Sequence, residues 1–359
     1  MIITRPTLLL DLQKCKNNIM RMVDKAKKNN LIFRPHFKTH QSIEIGNIFK
    51  ELGVDKITVS SVMMAQYFVD AGWNDITIAF PFNPLEINEI NNLADKINLN
   101  LLISSKDSAE KLIEITNKNL NYFIEIDTGY HRSGILSEDI SQIEKIITLL
   151  KIQHNFMGFL THSGNTYQAG STNEILSIHK DTINKMNFLK NKFKSDFPEL
   201  IISIGNTPSC SLAENFEGID EIRPGNFVFF DLMQYNLGVC KFEEIAVCVA
   251  CPVVDINRER NEIVIYGGGV HFSKEFIMQK GKKTFGQVVK LDRTGWQKPE
   301  GSSFLISLSQ EHGIIKASDE SINEISIGDV VGIIPVHSCL TANLMKSYRT
   351  MNNIIIDHF

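Results

Sequence analysis

The 359-residue chain reads as an α/β protein: a (β/α)8 barrel followed by a mostly-β C-terminal domain. Three observations predict this. From about residue 30 to 231, eight short apolar runs alternate with longer amphipathic segments, the pattern of buried parallel strands covered by helices. Beyond about residue 240 the runs become strand-like, joined by links rich in Gly, Asn and Asp, with few helical stretches. Several runs also end in polar, reactive side chains, which a barrel gathers at its C-terminal face. A doubly wound open sheet is the alternative, because periodicity does not require closure.

In order, the barrel runs are Leu31–Phe33, Lys56–Ser60, Asp75–Phe80, Leu99–Ser104, Tyr122–Asp127, Phe156–His162, Leu200–Gly205 and Glu221–Phe230. Between them lie helical faces such as Ala109, Leu112 and Ile113, and Ile140, Ile143, Ile146 and Ile147. The β domain is read from Glu244–Ile256, Glu262–Tyr266, Ser303–Leu308, Val330–Val336 and Asn353–Ile356. The expected division is 1–240 for the barrel and 241–359 for the β domain, with Ile2 and Ile3 able to add a strand to the latter.

Composition excludes several classes. A net charge of −4 gives no reason to expect a nucleic-acid partner. No run approaches the ~20 apolar residues of a membrane span, and the N-terminus lacks a signal-like layout. The 6 cysteines are scattered, which points to reduced thiols in a cytoplasm. Cys248 and Cys251 sit inside an apolar run with no second pair, so core packing is the expectation for them.

The most informative segment is Arg34-Pro-His-Phe-Lys-Thr-His40, at the end of the first barrel run. Lys38 stands among cationic and potentially cationic groups, which favour a neutral, nucleophilic amine suited to a carbonyl cofactor. Pro35 argues against a helix. In an extended strand His36, Lys38 and His40 would face one side. A surface lysine in a loop is the other reading.

Further segments end other runs. Glu125 to Gly134 delivers Asp127 and Arg132 to a Gly-flanked turn, where Arg132 suits a phenolate or carboxylate. Thr161 to Tyr167 brings His162 and Tyr167, which can anchor an aromatic ring. Ile204 to Ser209 follows the seventh run, where barrels commonly bind phosphate. Gly205 permits close backbone approach there, and amides with Thr207 can cradle an anion. In the β domain, His337 and Cys339 are two apart and would face the same way if extended; imidazole plus thiolate suits zinc, though two ligands are too few for a structural site.

Taken together these motifs resemble the D-threonine aldolase and D-serine dehydratase family, with the alanine racemase-like fold of type III pyridoxal-phosphate enzymes. The resemblance covers nearly the whole chain, from Arg5-Pro-Thr7 through the lysine segment, Ile126 to Arg132, His162 to Tyr167, Gly205 to Pro208, Glu221 to Asn226 and Ser309 to Gly313, to His337-Ser-Cys339. It implies that Lys38 carries pyridoxal 5′-phosphate. Arg132 would lie near the phenolic oxygen, Tyr167 at the ring, and Gly205, Asn206 and Thr207 at the phosphate, with His36 and His162 as further cofactor contacts. His337 and Cys339 would bind a divalent metal beside it, zinc first, with manganese or magnesium as alternatives. The family often has Ser at Asn206, and tyrosines within the stretch that here reads Asn226-Phe-Val-Phe-Phe-Asp231.

The implied activity is a lyase reaction on a β-hydroxy-D-amino acid. In one form the Cα–Cβ bond breaks to glycine and an aldehyde. In the other Lys38 takes the Cα proton and hydroxide leaves, giving a keto acid and ammonia. The alternatives are an amino-acid racemase of the same fold and a non-catalytic pyridoxal-phosphate-binding protein. The expected partners are a small D-amino acid and a second copy of the chain as a homodimer.

Overall fold

The alternation of apolar runs and amphipathic helices produces a parallel barrel in the computed structural model, which describes residues 2–116, 118–279, 281–297 and 303–359. Two compact units divide the chain: Arg21–Lys38 with Gly46–Gly225, and Met1–Met20 with Thr39–Ile45 and Asn226–Phe359.

The first unit is the nearly closed eight-stranded barrel. Its order is Ile32–Phe33, Glu221–Ile222, Ile201–Ile204, Asn155–Thr161, Asn121–Asp127, Asn98–Ile103, Asp75–Pro81 and Ile57–Val59. A parallel bridge between His36 and Thr58 joins the two ends. There Phe37 N donates to Thr58 O at 2.8 Å and Thr58 N to Pro35 O at 2.9 Å. The barrel is thus sealed by the segment leading into Lys38. The eighth strand is shorter than its apolar run, since Pro224 has no N–H to continue a ladder.

The outer helices bury the expected stripes: Ala109 and Leu112 on Lys106–Ile115, and Ile143, Ile146, Ile147 and Leu150 on Ile140–Leu150. Two of the polar residues that follow barrel runs are helix caps. Ser61 accepts from Met64 N, and Ser105 from Ser108 N in a capping box, contacts that stabilise a helix start by about 1 kcal/mol each. At the opposite rim Asp75, Asn98, Asn121 and Asn155 form a side-chain ladder with links of 2.9, 2.6 and 3.0 Å.

The second unit is built on a nine-stranded sheet. Its order is Glu262–Tyr266, His312–Lys316, Phe304–Leu308, Gly286–Val289, Val330–Pro335, Val247–Asn257, Thr7–Leu10, Ser347–Thr350 and Ile355–Asp357. Val247–Asn257 also pairs with Glu262–Tyr266, so the first six strands close on themselves. The N-terminal contribution is Thr7–Leu10, antiparallel to Val247–Asn257, rather than Ile2 and Ile3. Residues 226–240 also fall in this unit, because Asn226 and Asp231 hydrogen-bond to Ser338. Cys248 and Cys251 are fully buried in the longest strand, with burial pushing both thiols up, so they are core residues.

Candidate active site

Lys38 owes its position to its neighbours. His36 N donates to Pro224 O at 2.9 Å. Phe37 is fully buried against Phe49, Phe68 and Trp73, with ring centroids at 5.0, 4.9 and 5.1 Å. Residues 37–40 then form turns, so the extended alternation expected for His36, Lys38 and His40 ends at His36. Burying Phe37 while the chain leaves the barrel wall requires that bend. His40 is buried within the second unit, its Nδ1 accepting from Ser42 N and its carbonyl from Tyr348 Oη.

His36 and His162 are held uncharged. Burial, then the cations Lys38 and Arg223, with His162 and Arg132, push His36 well below an ordinary imidazole. Burial and Lys38 likewise lower His162 to about 3, against the opposing effect of its bond to Gly205. His162 Nδ1 lies 2.5 Å from Gly205 O. A carbonyl only accepts, so Nδ1 carries the proton and Nε2 presents its lone pair.

The loop after Asn121–Asp127 is organised by Asp127, whose Oδ1 accepts from the amides of Gly129, Tyr130 and His131 at 2.9, 3.0 and 3.0 Å. This turn places the Tyr130 ring edge-on to His162 at 5.9 Å and under the Arg132 guanidinium at 5.4 Å. Gly164 is required there, since a Cβ would come within 2.5 Å of the Tyr130 ring. Arg132 is half exposed, 3.9 Å from Glu125.

At the end of Ile201–Ile204, Asn206 caps the short helix Thr207–Leu212. Its Oδ1 accepts from Ser209 N at 2.7 Å and from Thr166 Oγ1 at 3.2 Å. That side chain is committed, leaving backbone amides for an anion. Tyr167 Oη accepts from Thr207 N at 3.3 Å, and its ring lies 6.3 Å from that of His162. Gly205 makes its close approach to Arg223: a Cβ would sit 2.9 Å from Arg223 Cβ and 3.0 Å from its carbonyl. Ser209 Oγ is buried without a protein partner. Thus His36, Arg132, His162, Tyr167, Gly205, Asn206 and Thr207 all lie at the C-terminal ends of the barrel strands, as does Lys38. Arg223, missed in the sequence, lies there too; its position just past the eighth strand was the available signal.

In the second unit, His337 is the N-cap residue and Cys339 lies in the first turn of the helix Ser338–Met345. The two side chains meet because a helix begins between them, not because the segment is extended. Burial works against charge on His337, but Cys339, Glu275 and Asp231 raise it to about 11. Burial likewise opposes a thiolate on Cys339, and His337 together with Thr39 brings the thiol below its ordinary value. His337 Nδ1 lies 2.5 Å from Glu275 Oε2, while Cys339 Sγ is 3.3 Å from Thr39 Oγ1 and 3.5 Å from Asn226 Nδ2. Asp231 Oδ2 accepts from Asn226 Nδ2, Ser338 N and Ser338 Oγ at 2.7, 2.9 and 3.2 Å, fixing the start of the helix. Phe227, Phe229 and Phe230, in the stretch where the family often has tyrosines, are buried. Glu275 was not legible as a partner, being 62 residues from His337. Among the described residues no group of three or more His, Cys, Asp and Glu side chains is arranged to hold a metal ion. No helix among them is long and apolar enough to cross a membrane.

Comparison with known proteins agrees with this layout. A profile described as "Alanine racemase, N-terminal domain" matches residues 10–232, and one described as "Putative serine dehydratase domain" matches 246–351. The chain is 30% identical to D-serine dehydratase of Dictyostelium discoideum, over 94% of this chain and 91% of that one. It is 27% identical to D-threo-3-hydroxyaspartate dehydratase of Delftia sp. strain HT23, over 96% and 93%. The solved structure of the Delftia enzyme superposes with a TM-score of 0.91 at 25% identity, covering 100% of this chain and 98% of that one. The chain therefore belongs to the family that joins an alanine racemase N-terminal domain to a serine dehydratase domain.

Proposed function

We propose that this chain is a pyridoxal 5′-phosphate- and divalent-metal-dependent lyase that dehydrates β-hydroxy-D-amino acids to a keto acid and ammonia. The observation that carries this reading is the His337–Cys339 pair with Glu275 on His337 Nδ1. A carboxylate on the distal imidazole nitrogen is the usual support of a metal-binding histidine, and it leaves Nε2 beside a thiol already disposed to lose its proton. Such a donor set suits zinc, with manganese or magnesium as alternatives. Racemisation alone has no use for it.

The barrel residues fit pyridoxal phosphate. Ser209 Oγ is a buried hydroxyl lacking a protein partner beside the 205–207 amides, which suits a phosphate. The uncharged His36 and His162 leave the local positive charge to Arg132 and Arg223, which suits an anionic cofactor. When bound, the cofactor would withdraw electrons from the substrate Cα and the metal would polarise the β-hydroxyl. The chain supplies the rest. Lys38 takes the Cα proton on Nζ. Arg132 would face the cofactor's phenolic oxygen, Tyr167, held by the bond from Thr207 N, would contact its ring, and His162 would offer Nε2 to the same region.

Dehydration is favoured over aldol cleavage because the relatives named above match along nearly the whole chain, whereas a D-threonine aldolase of Arthrobacter matches over 36% of it. In this reading two copies of the chain form a homodimer. All 6 cysteines are free, in keeping with a reducing cytoplasm.

The test is to load the protein with cofactor and zinc or manganese, then supply D-serine, D-threo-3-hydroxyaspartate and D-threonine. Keto acid and ammonia that disappear on chelation are expected. Glycine with an aldehyde would replace dehydration by cleavage, and L/D interconversion that survives chelation would replace the lyase by a racemase.

A further inference from the structure

The barrel interior holds a chain of buried polar side chains that ends on Arg223. Arg34 donates from Nε to Glu221 Oε2 at 2.6 Å and from Nη1 to Asp75 Oδ1 at 2.5 Å. Ser203 Oγ donates to Glu221 Oε1 at 2.6 Å and accepts from Arg223 Nε at 2.7 Å. Arg223 Nη2 donates to Thr161 O at 2.6 Å. Arg34, Glu221, Ser203 and Arg223 are all within 4% of full burial.

The polarity of this chain is fixed by chemistry. A carboxylate only accepts, so the single Ser203 proton points to Glu221, and only lone pairs remain for Arg223. Burying a guanidinium is costly unless it is paired. Among the described residues Arg223 has no carboxylate in direct contact; Glu221 reaches it through Ser203. Arg34, by contrast, contacts two carboxylates. Arg223 is therefore a cation held by neutral acceptors, the Ser203 hydroxyl on Nε and the Thr161 carbonyl on Nη2, and it lies beneath Gly205 and near His36 and His162.

We propose that Ser203 is a positioning residue: its hydroxyl, oriented by Glu221, fixes the Arg223 guanidinium at the barrel end that carries His36 and His162, and so sets the charge environment of Lys38. This rests on the pyridoxal-phosphate reading above. A fixed cation there disfavours a proton on the lysine-bound cofactor; a cation released to move or hydrate disfavours it less.

The experiment is a pH titration of the visible absorbance of the cofactor-loaded protein, with melting temperature measured alongside. Ser203→Ala is expected to move the titration midpoint upward by roughly 0.5 to 1 unit, the scale expected when a unit charge shifts by a few ångströms at an effective dielectric near 20. Ser203→Thr, which keeps the hydroxyl, is expected to restore it. Arg223→Gln, which removes the charge outright, should move it further in the same direction and serves if Ser203→Ala does not fold. An unmoved midpoint in Ser203→Ala, with or without a lower melting temperature, overturns the proposal; so does an unmoved midpoint in Arg223→Gln, or failure of Ser203→Thr to restore it. If the unaltered protein shows no visible band with pyridoxal phosphate, the cofactor reading itself fails, and this proposal with it.

Discussion

The barrel end around Lys38 and the turn around His337 handle buried imidazoles in opposite ways. His162 is driven down to about 3 and His36 well below its ordinary range, whereas His337 is raised to about 11. Burial acts in the same direction on all three. The difference lies in the neighbours: Lys38, Arg132 and Arg223 in the barrel, Cys339, Glu275 and Asp231 at the helix start. Burial alone therefore does not predict the charge of a histidine; the sign of what is packed against it does. One region packs cations around its imidazoles, the other a thiol and carboxylates.

Lys38→Ala tests the first region most severely. Loss of the visible cofactor band is expected, with turnover falling by roughly 10^4-fold, the upper range for removing a proton-transferring group. Retention of both would remove Lys38 from its assigned role.

Glu275→Gln tests the second. It keeps the shape but withdraws the carboxylate from His337 Nδ1, and a drop of about 10–100-fold in metal affinity is expected by titration with zinc. Unchanged affinity would mean that Glu275 is an incidental surface pair.

The contrast has a pH signature. Unfolded imidazoles titrate near 6.5, while folded His162 titrates at about 3. Between these values the unfolded chain binds more protons, so stability rises with pH. The contribution is complete above about pH 6.5 and is lost progressively as the pH falls toward 3. Melting curves from pH 7 to 4 should show this decline, and His162→Gln should flatten it. An equally steep decline in the variant would assign the acid sensitivity elsewhere.

The smallest effect is expected for Thr39→Val, which removes the hydroxyl 3.3 Å from Cys339 Sγ. A neutral hydrogen bond contributes about 1 kcal/mol, so the thiol should titrate less than one unit higher in thiol-reactivity measurements on the metal-free protein. A larger rise would give Thr39 a greater part in thiolate stabilisation than its geometry suggests.

All eight barrel strands could be read from apolar runs, because parallel strands buried on both faces need continuous hydrophobicity. The strands Gly286–Val289, His312–Lys316 and Ser347–Thr350 could not, since they are short, half exposed or rich in polar residues, and cross-strand pairing rather than local pattern holds them. Polar residues after strands suggested reactive groups, yet Ser61, Ser105 and Asn206 use their side chains as helix caps. A cap and a ligand draw on the same residue types, so pattern alone does not separate them.

Local chemistry thus accounts for which residues are candidates: a lysine after the first strand, an arginine and a histidine after two others, a Gly-containing anion loop after the seventh, and a His-x-Cys pair near the end. Their charge states and supports came from the folded chain. Glu275 reaches His337 across 62 residues, Glu221 reaches Arg223 only through Ser203, and the bend after His36 follows from burying Phe37. Each depends on groups distant in sequence becoming neighbours, and where the contact is buried a single partner decides whether a group keeps its proton.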